Sequence, residues 1–152
     1  MSSIDELAEK YHQATQTFLN FAKSLSENDL DTSDHEGWTP RQVIHHMADS
    51  EAQSFSRLRR LIAEPGSIIQ GYDEAKWAKS LTLGYSELPV ADSLEIIAAV
   101  RKASFELVKR LTPEQLEITG VHSESGIYSV LRWIETYSRH PIDHTNQIKN
   151  QI

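Results

Sequence analysis

Two histidines near the end of the chain, His140 and His144, are spaced four residues apart. On a helix this spacing is a rise of about 6 Å on one shared face, so both rings can reach a single point. It is the geometry by which one helix supplies two nitrogen ligands to a metal ion. The chain holds seven histidines, so a pair at this spacing also arises by chance, and two polar residues on a solvated final turn are the plain alternative. His46 is a third candidate. It lies three residues after Val43 and four before Ser50, on the inward stripe expected of a second helix, where a lone histidine commonly serves as a hydrogen-bonded core residue. If the second and last helices face one another, His46, His140 and His144 form a three-nitrogen site. Such a site leaves one coordination position open for water or substrate, the catalytic rather than the structural pattern. The other histidines have weaker claims. His45 is turned about 100° from His46 and is expected to face outward. His12 closes the Glu-x-x-His run Glu9–His12, but di-iron bundles need that motif twice, with two further Glu, and it occurs once. His35 and His122 fall in loops and are expected to serve turns.

The elements that must position these rings are helical. Ile4, Leu7, Ala8, Tyr11, Ala14, Phe18, Phe21, Ala22 and Leu25 follow three-four spacing and predict a first helix over about residues 4–27. Residues 28–37 read as a polar loop. Thr39-Pro40-Arg41-Gln42 is a helix start, with Thr39 as cap, Pro40 at the first helical position and Gln42 as capping-box partner. The helix it opens carries Val43, Met47, Ser50, Ser54, Leu58 and Leu61 on one side and ends at about Ala63, before Glu64-Pro65-Gly66. A long crossover follows to Pro89, with one short helix over Asp73–Ala78. A third helix is predicted over 91–111, with Leu94, Ile97, Ala98, Phe105, Val108 and Leu111 inside. Thr112-Pro113-Glu114-Gln115 opens a short helical turn, and residues 122–126 form a second loop. The last helix spans about 129–150, with Val130, Trp133, Ile134, Tyr137, His140, Pro141, His144 and Ile148 inward. Ser67–Ile69 and Leu81–Leu83 are too short to support a sheet. The expectation is an all-α four-helix bundle, one domain over residues 1–152, with a long connection between its second and third long helices.

Composition narrows the function classes. The chain has 152 residues, 39% of them hydrophobic, enough to bury one core and too few residues for two. Fifteen Lys and Arg against 22 Asp and Glu give a net charge of −7, which argues against a nucleic-acid partner, since phosphate binding runs on clustered cations. With no cysteine, the chain has no disulfide, thiolate ligand or thiol nucleophile of its own. No apolar run approaches the roughly 20 residues that span a bilayer, and the acidic start Met1–Glu6 lacks a signal-peptide stretch. A cytoplasmic protein with no membrane partner is expected.

The run Trp38-Thr39-Pro40-Arg41-Gln42-Val43-Ile44-His45-His46-Met47-Ala48-Asp49-Ser50 resembles the second-helix signature of the DinB/YfiT-like superfamily. Tyr72-Asp73-Glu74-x-x-Trp77-Ala78, the loop His122–Gly126 and His140-x-x-x-His144 follow in the order seen in its YfiT-type branch. The resemblance extends over about residues 4–150. It implies a four-helix bundle, commonly a homodimer, with a divalent metal, usually zinc or nickel, held by three His at positions matching His46, His140 and His144. Members are often described as metal-dependent hydrolases. Characterised relatives include transferases that use low-molecular-weight thiols such as bacillithiol, and a mycothiol-dependent maleylpyruvate isomerase. Two positions depart from the pattern. Pro141 stands where relatives often carry Gly or a helix former, and it disfavours helical geometry at His140. Asp143 occupies a place where relatives often have a further His.

Three neutral imidazoles would leave a bound cation its full charge, which lowers the pKa of a water or thiol ligand. An external thiol attacking a small-molecule electrophile is the leading reading, since the sulfur must come from a cosubstrate. Hydrolysis by metal-bound water is the alternative, although the His-Glu-x-x-His motif that supplies a base is absent. A non-catalytic bundle with a vestigial site is the third. Asp49 and Glu51 follow His46 closely. Asp49 could orient a ligand ring on the neighbouring helix, or face solvent. Tyr137 shares the face of the His pair and could donate to an anion, or be core. Asp143 could support the site, or be exposed. Trp38 and Trp77 could shape a pocket mouth, and Arg57, Arg59 and Arg60 could meet the carboxylates of a thiol cosubstrate, or form a surface charge cluster.

Overall fold

The computed structural model describes residues 3–33 and 37–152; His35 lies outside the described residues. Helix α1 (Ile4–Ser24) opens on a Ser3/Glu6 capping box. Where a loop was expected after it, Ser26 caps a further short helix, α2 (Glu27–Leu30), because its hydroxyl and the Asp29 carboxylate satisfy each other's backbone amides. Helix α3 (Pro40–Ala63) starts on the Thr39/Gln42 box with Pro40 at its first position. The crossover carries strand β1 (Ile68–Ile69), helix α4 (Glu74–Lys79) and a 3-10 turn over Leu81–Leu83. Helix α5 (Ala91–Val108) leads through a 3-10 turn at Pro113–Glu117 into strands β2 (Thr119–His122) and β3 (Gly126–Ser129), then helix α6 (Val130–Lys149).

Buried side chains sort into two apolar clusters. One gathers Leu7 and Tyr11 of α1, Leu58 and Leu61 of α3, Val108 of α5 and Trp133 and Tyr137 of α6. The other gathers Phe18 and Ala22, Val43 and Met47, Ile97, and Ile148 of the same four helices. Helices α1 and α6 therefore run from the first cluster to the second, and α3 and α5 run the opposite way. Helix α1 packs on α5 and α6, and α3 packs on the same two. The neighbours α3 and α5 are parallel, so the chain must return along the bundle, about 36 Å for a helix the length of α3, before α5 can begin. That return is the physical reason for the long crossover.

The small sheet corrects the purely helical expectation. β2 and β3 form an antiparallel hairpin, and β1 adds parallel to β2 with Ile68 opposite Val121 and Ile69 opposite His122. Gly126 takes φ 76° at the hairpin turn. Gly120 lets β1 approach: a Cβ there would stand 2.5 Å from the Ser67 carbonyl oxygen. The hairpin delivers Ser129 as the cap of α6, and Ile69 and Tyr128 close the first apolar cluster. Among the described residues, no helix is long and apolar enough to cross a membrane.

Candidate metal centre

Between the two apolar clusters lies a polar layer, to which α1 contributes Thr15, α3 Glu51 and Ser54, α5 Arg101 and Ser104, and α6 Ser138; all are buried. His46 borders this layer on α3, and His140 and His144 border it on α6. The structure brings the three rings together. One nitrogen of each lies within 4.8 Å of the other two. The two Nε2 atoms of His140 and His144 are 2.9 Å apart. The His46 ring lies edge-on to both, at 5.5 Å from His140 and 4.9 Å from His144 between centroids, with Trp38 packed at 4.9 Å on it.

The hydrogen bonding leaves nitrogen lone pairs pointing inward. His46 is 1% exposed, and neither of its ring nitrogens has a protein partner. The Gln147 amide oxygen accepts from Nδ1 of His144 at 2.7 Å, which fixes the proton there and leaves Nε2 unprotonated, an acceptor beside Nε2 of His140. Burial, reinforced by the neighbouring rings, holds His46 down to about 3 and His144 down to about 4, from an ordinary 6.5. Both rings are thus neutral at pH 7, the form that binds metal. The unfolded chain takes up protons near pH 6.5, and the folded chain only below about 4 at these two rings. The metal-free protein is therefore expected to lose stability as pH falls from 6.5 towards 3, by about 1–2 kcal/mol per ring at pH 5. Urea unfolding in a chelator at pH 7 and pH 5 checks this.

Pro141 does not misdirect the pair. It sits inside α6 and lacks the N–H that would bond the Tyr137 carbonyl four residues back. That carbonyl instead accepts from Nη2 of Arg101 at 2.9 Å. The missing bond is made good from α5, and the two rings converge. Pro141→Ala is expected to leave metal affinity within about threefold, because a carbonyl with two lone pairs can accept from both donors. Titration of the purified variant with zinc reads the result.

The remaining candidates lie away from the three rings or behind them, and the expectation for His45 needs correction. His45 does not face outward. It is 6% exposed, with Nε2 at 3.0 Å from the Leu88 carbonyl and Nδ1 at 2.8 Å from Ser93 Oγ. The carbonyl can only accept, so the ring donates from Nε2 and accepts the Ser93 hydroxyl, tying α3 to the end of the crossover and to the start of α5. Asp49 does not reach a ligand ring; it accepts from the Tyr85 hydroxyl. Asp143 is largely exposed beside Arg139. The Tyr137 hydroxyl accepts from Arg57 Nη1 at 3.1 Å, and the ring meets His140 edge-on. Arg57, Arg59 and Arg60 do not act as one cluster: Arg57 also donates to the Gln70 carbonyl, Arg59 lies over Phe55 and Arg60 pairs with Glu64. Trp77 packs on Tyr72, His12 stacks on Phe105, and His122 accepts from the Glu124 amide in the hairpin turn.

Glu51, noted in the sequence only for its nearness to His46, and Arg101 hold a place that the spacing of the histidines does not reveal. Both side chains are wholly buried, 2.7 Å apart. The signal was available. Glu51 stands four after Met47 and seven before Leu58, and Arg101 four after Ile97 and seven before Val108, so each is a charge at an inward position.

A four-helix bundle with three imidazoles converging from two neighbouring helices defines the class. The chain belongs to the DinB superfamily, whose family model matches residues 10–148. It is 36% identical over 146 residues to an Oceanobacillus iheyensis protein named "Putative metal-dependent hydrolase", covering 95% of this chain and 83% of that one. A Bacillus mycoides protein of the same description is 35% identical over 149 residues, covering 95% and 84%. Among solved structures, YfiT from Bacillus subtilis, described as a probable metal-dependent hydrolase with an unusual four-helix bundle topology, superposes with a TM-score of 0.84. That match covers 99% of this chain and 89% of YfiT at 24% identity. TT2238, a four-helix bundle protein, gives a TM-score of 0.65 at 21% identity, covering 97% of this chain and 99% of that one.

Proposed function

We propose that His46, His140 and His144 hold a divalent cation, zinc or nickel, and that the protein is a metal-dependent enzyme transferring a low-molecular-weight thiol to a small electrophile. The observation that carries the metal reading is the buried His46 ring, whose two nitrogens lack protein partners, beside the Nε2 atoms of His140 and His144, which stand 2.9 Å apart. A buried polar atom without a partner costs about 1–3 kcal/mol, and a ligand would remove that cost. When bound, the cation would supply Lewis acidity that stabilises a thiolate or hydroxide at neutral pH.

The chain's own carboxylates favour thiol over water. Hydrolysis wants a carboxylate free to take a proton from water. Glu51 is tied to Arg101 and Ser54, Asp49 to Tyr85, and Asp143 lies beside Arg139. A thiol that loses its proton on binding needs no such base. The hydrolase reading is supported by the names of the related proteins. The homodimer suggested by the family resemblance remains part of the proposal, and a cytoplasmic setting follows from the need for a thiol pool.

Elemental analysis of protein purified without a His tag is the test. About one zinc or nickel per chain is expected, with loss in His144→Ala. Conjugation of an electrophile that requires added bacillithiol or a similar thiol supports transfer. Turnover without thiol supports hydrolysis, and absence of metal from wild-type protein leaves only a scaffold.

A further inference from the structure

The inner wall of the site carries a group that the reaction above does not use. Glu51 has no exposed side-chain surface. Its Oε1 accepts from Arg101 Nη1 at 2.7 Å and lies 3.7 Å from Nδ1 of His140. Its Oε2 accepts from Ser54 Oγ at 3.0 Å. Arg101 is anchored in turn by Thr15 Oγ1 at 2.7 Å and by the carbonyls of Tyr11 and Tyr137 at 3.2 and 2.9 Å. The Tyr137 carbonyl is available because Pro141 cannot donate to it. All four long helices thus fix the direction of one carboxylate. Burial pushes that carboxyl upward, but the Arg101 guanidinium and the His140 ring override it and keep Glu51 ionised.

His140 Nδ1 is buried and makes no hydrogen bond in this structure, and Glu51 is the carboxylate beside it. A neutral imidazole that offers Nε2 to a cation carries its proton on Nδ1, and that proton needs an acceptor. For His144 the acceptor is Gln147. A buried ion pair is weak ground for stability, since apolar residues of equal volume commonly do as well. Holding an acceptor behind a ligand ring is a use that an apolar pair could not serve.

We propose that Glu51, held by Arg101, is a positioning residue of the metal centre that accepts the Nδ1 proton of His140 and so fixes the tautomer and aim of that ring. The proposal rests on the three-histidine reading above. Zinc is the probe, on the whole 152-residue chain. In the zinc-loaded wild type, a nitrogen-correlated NMR spectrum is expected to show the His140 proton on Nδ1, strongly downfield. Glu51→Gln is expected to move that resonance upfield and to weaken zinc binding about 10–100-fold against a chromophoric chelator. Because Glu51→Gln leaves Arg101 charged and unpaired, the double variant Glu51→Gln/Arg101→Met, which removes both charges, is measured alongside and is expected to show the same loss of affinity. A merely structural role would shift melting temperature and leave the Nδ1 resonance and the zinc affinity unmoved. Zinc affinity within about twofold of wild type in both variants overturns the proposal, as does a His140 proton found on Nε2 in the loaded wild type. Wild-type protein that takes up no zinc or nickel would instead sink the three-histidine reading itself, and Glu51's role with it.

Discussion

Arg101→Met is expected to destabilise the protein by about 3–5 kcal/mol, the largest stability effect of any single substitution argued for this chain. The substitution removes the partner of a carboxylate with no exposed surface. It also strips the Tyr137 carbonyl of its donor, which Pro141 cannot replace, and removes one hydrogen bond each from Thr15 Oγ1 and the Tyr11 carbonyl, which keep the bond between them. Methionine fills the volume but satisfies none of these groups. Glu51→Gln/Arg101→Met is expected to recover most of the loss, because a neutral amide in that place costs far less than an isolated anion. Denaturant unfolding of the wild type, both single variants and the double variant gives the coupling energy directly. Additive single effects would mean that the ion pair does not organise the polar layer.

His46→Leu is expected to act in opposite directions on binding and on stability. It deletes one of three ligands, so zinc affinity should fall by more than about 100-fold, beyond the cost of losing a group that only hydrogen-bonds a ligand ring. The metal-free variant should nevertheless be more stable than metal-free wild type, by about 1–2 kcal/mol at pH 7, because leucine has a similar volume and no polar atoms. The two His46 nitrogens without protein partners are the reason. At pH 5 the gap should widen, since the wild-type ring resists protonation in the folded state while its unfolded counterpart accepts a proton. Chelator-treated samples compared in urea at both values, with a parallel zinc titration, decide the matter. A variant less stable than wild type would show that His46 is a packed core residue with no ligand role.

The four long helices were legible because each carries a continuous three-four stripe, even α5, which has no side-chain cap. Thr39-Pro40-Arg41-Gln42 caps where its chemistry says it should. The His140/His144 pair was equally legible, since four residues on a helix is a local relation. The sheet was not. β1 has two residues, and its partner lies some fifty positions away, so neither periodicity nor turn chemistry announces it. His45 was misplaced for a related reason. Helical phase turns it away from His46, but Leu88 at the end of the folded-back crossover and Ser93 in the first turn of α5 cover that side of α3.

From its residues alone this chain determined which faces of its helices would be apolar, and that the rings of His140 and His144 could serve one cation. These are properties of nearest neighbours along a helix, set by 3.6 residues per turn and by side-chain chemistry. The tertiary structure alone decided that α3 would lie beside α6 with His46 facing His140 and His144. It alone placed Glu51 rather than Asp49 behind a ring, and let Arg101 complete the hydrogen bond that Pro141 cannot make. Those outcomes depend on helix order and direction around the bundle. They are set by burying the two apolar clusters together while every charge enclosed between them finds a partner from another helix.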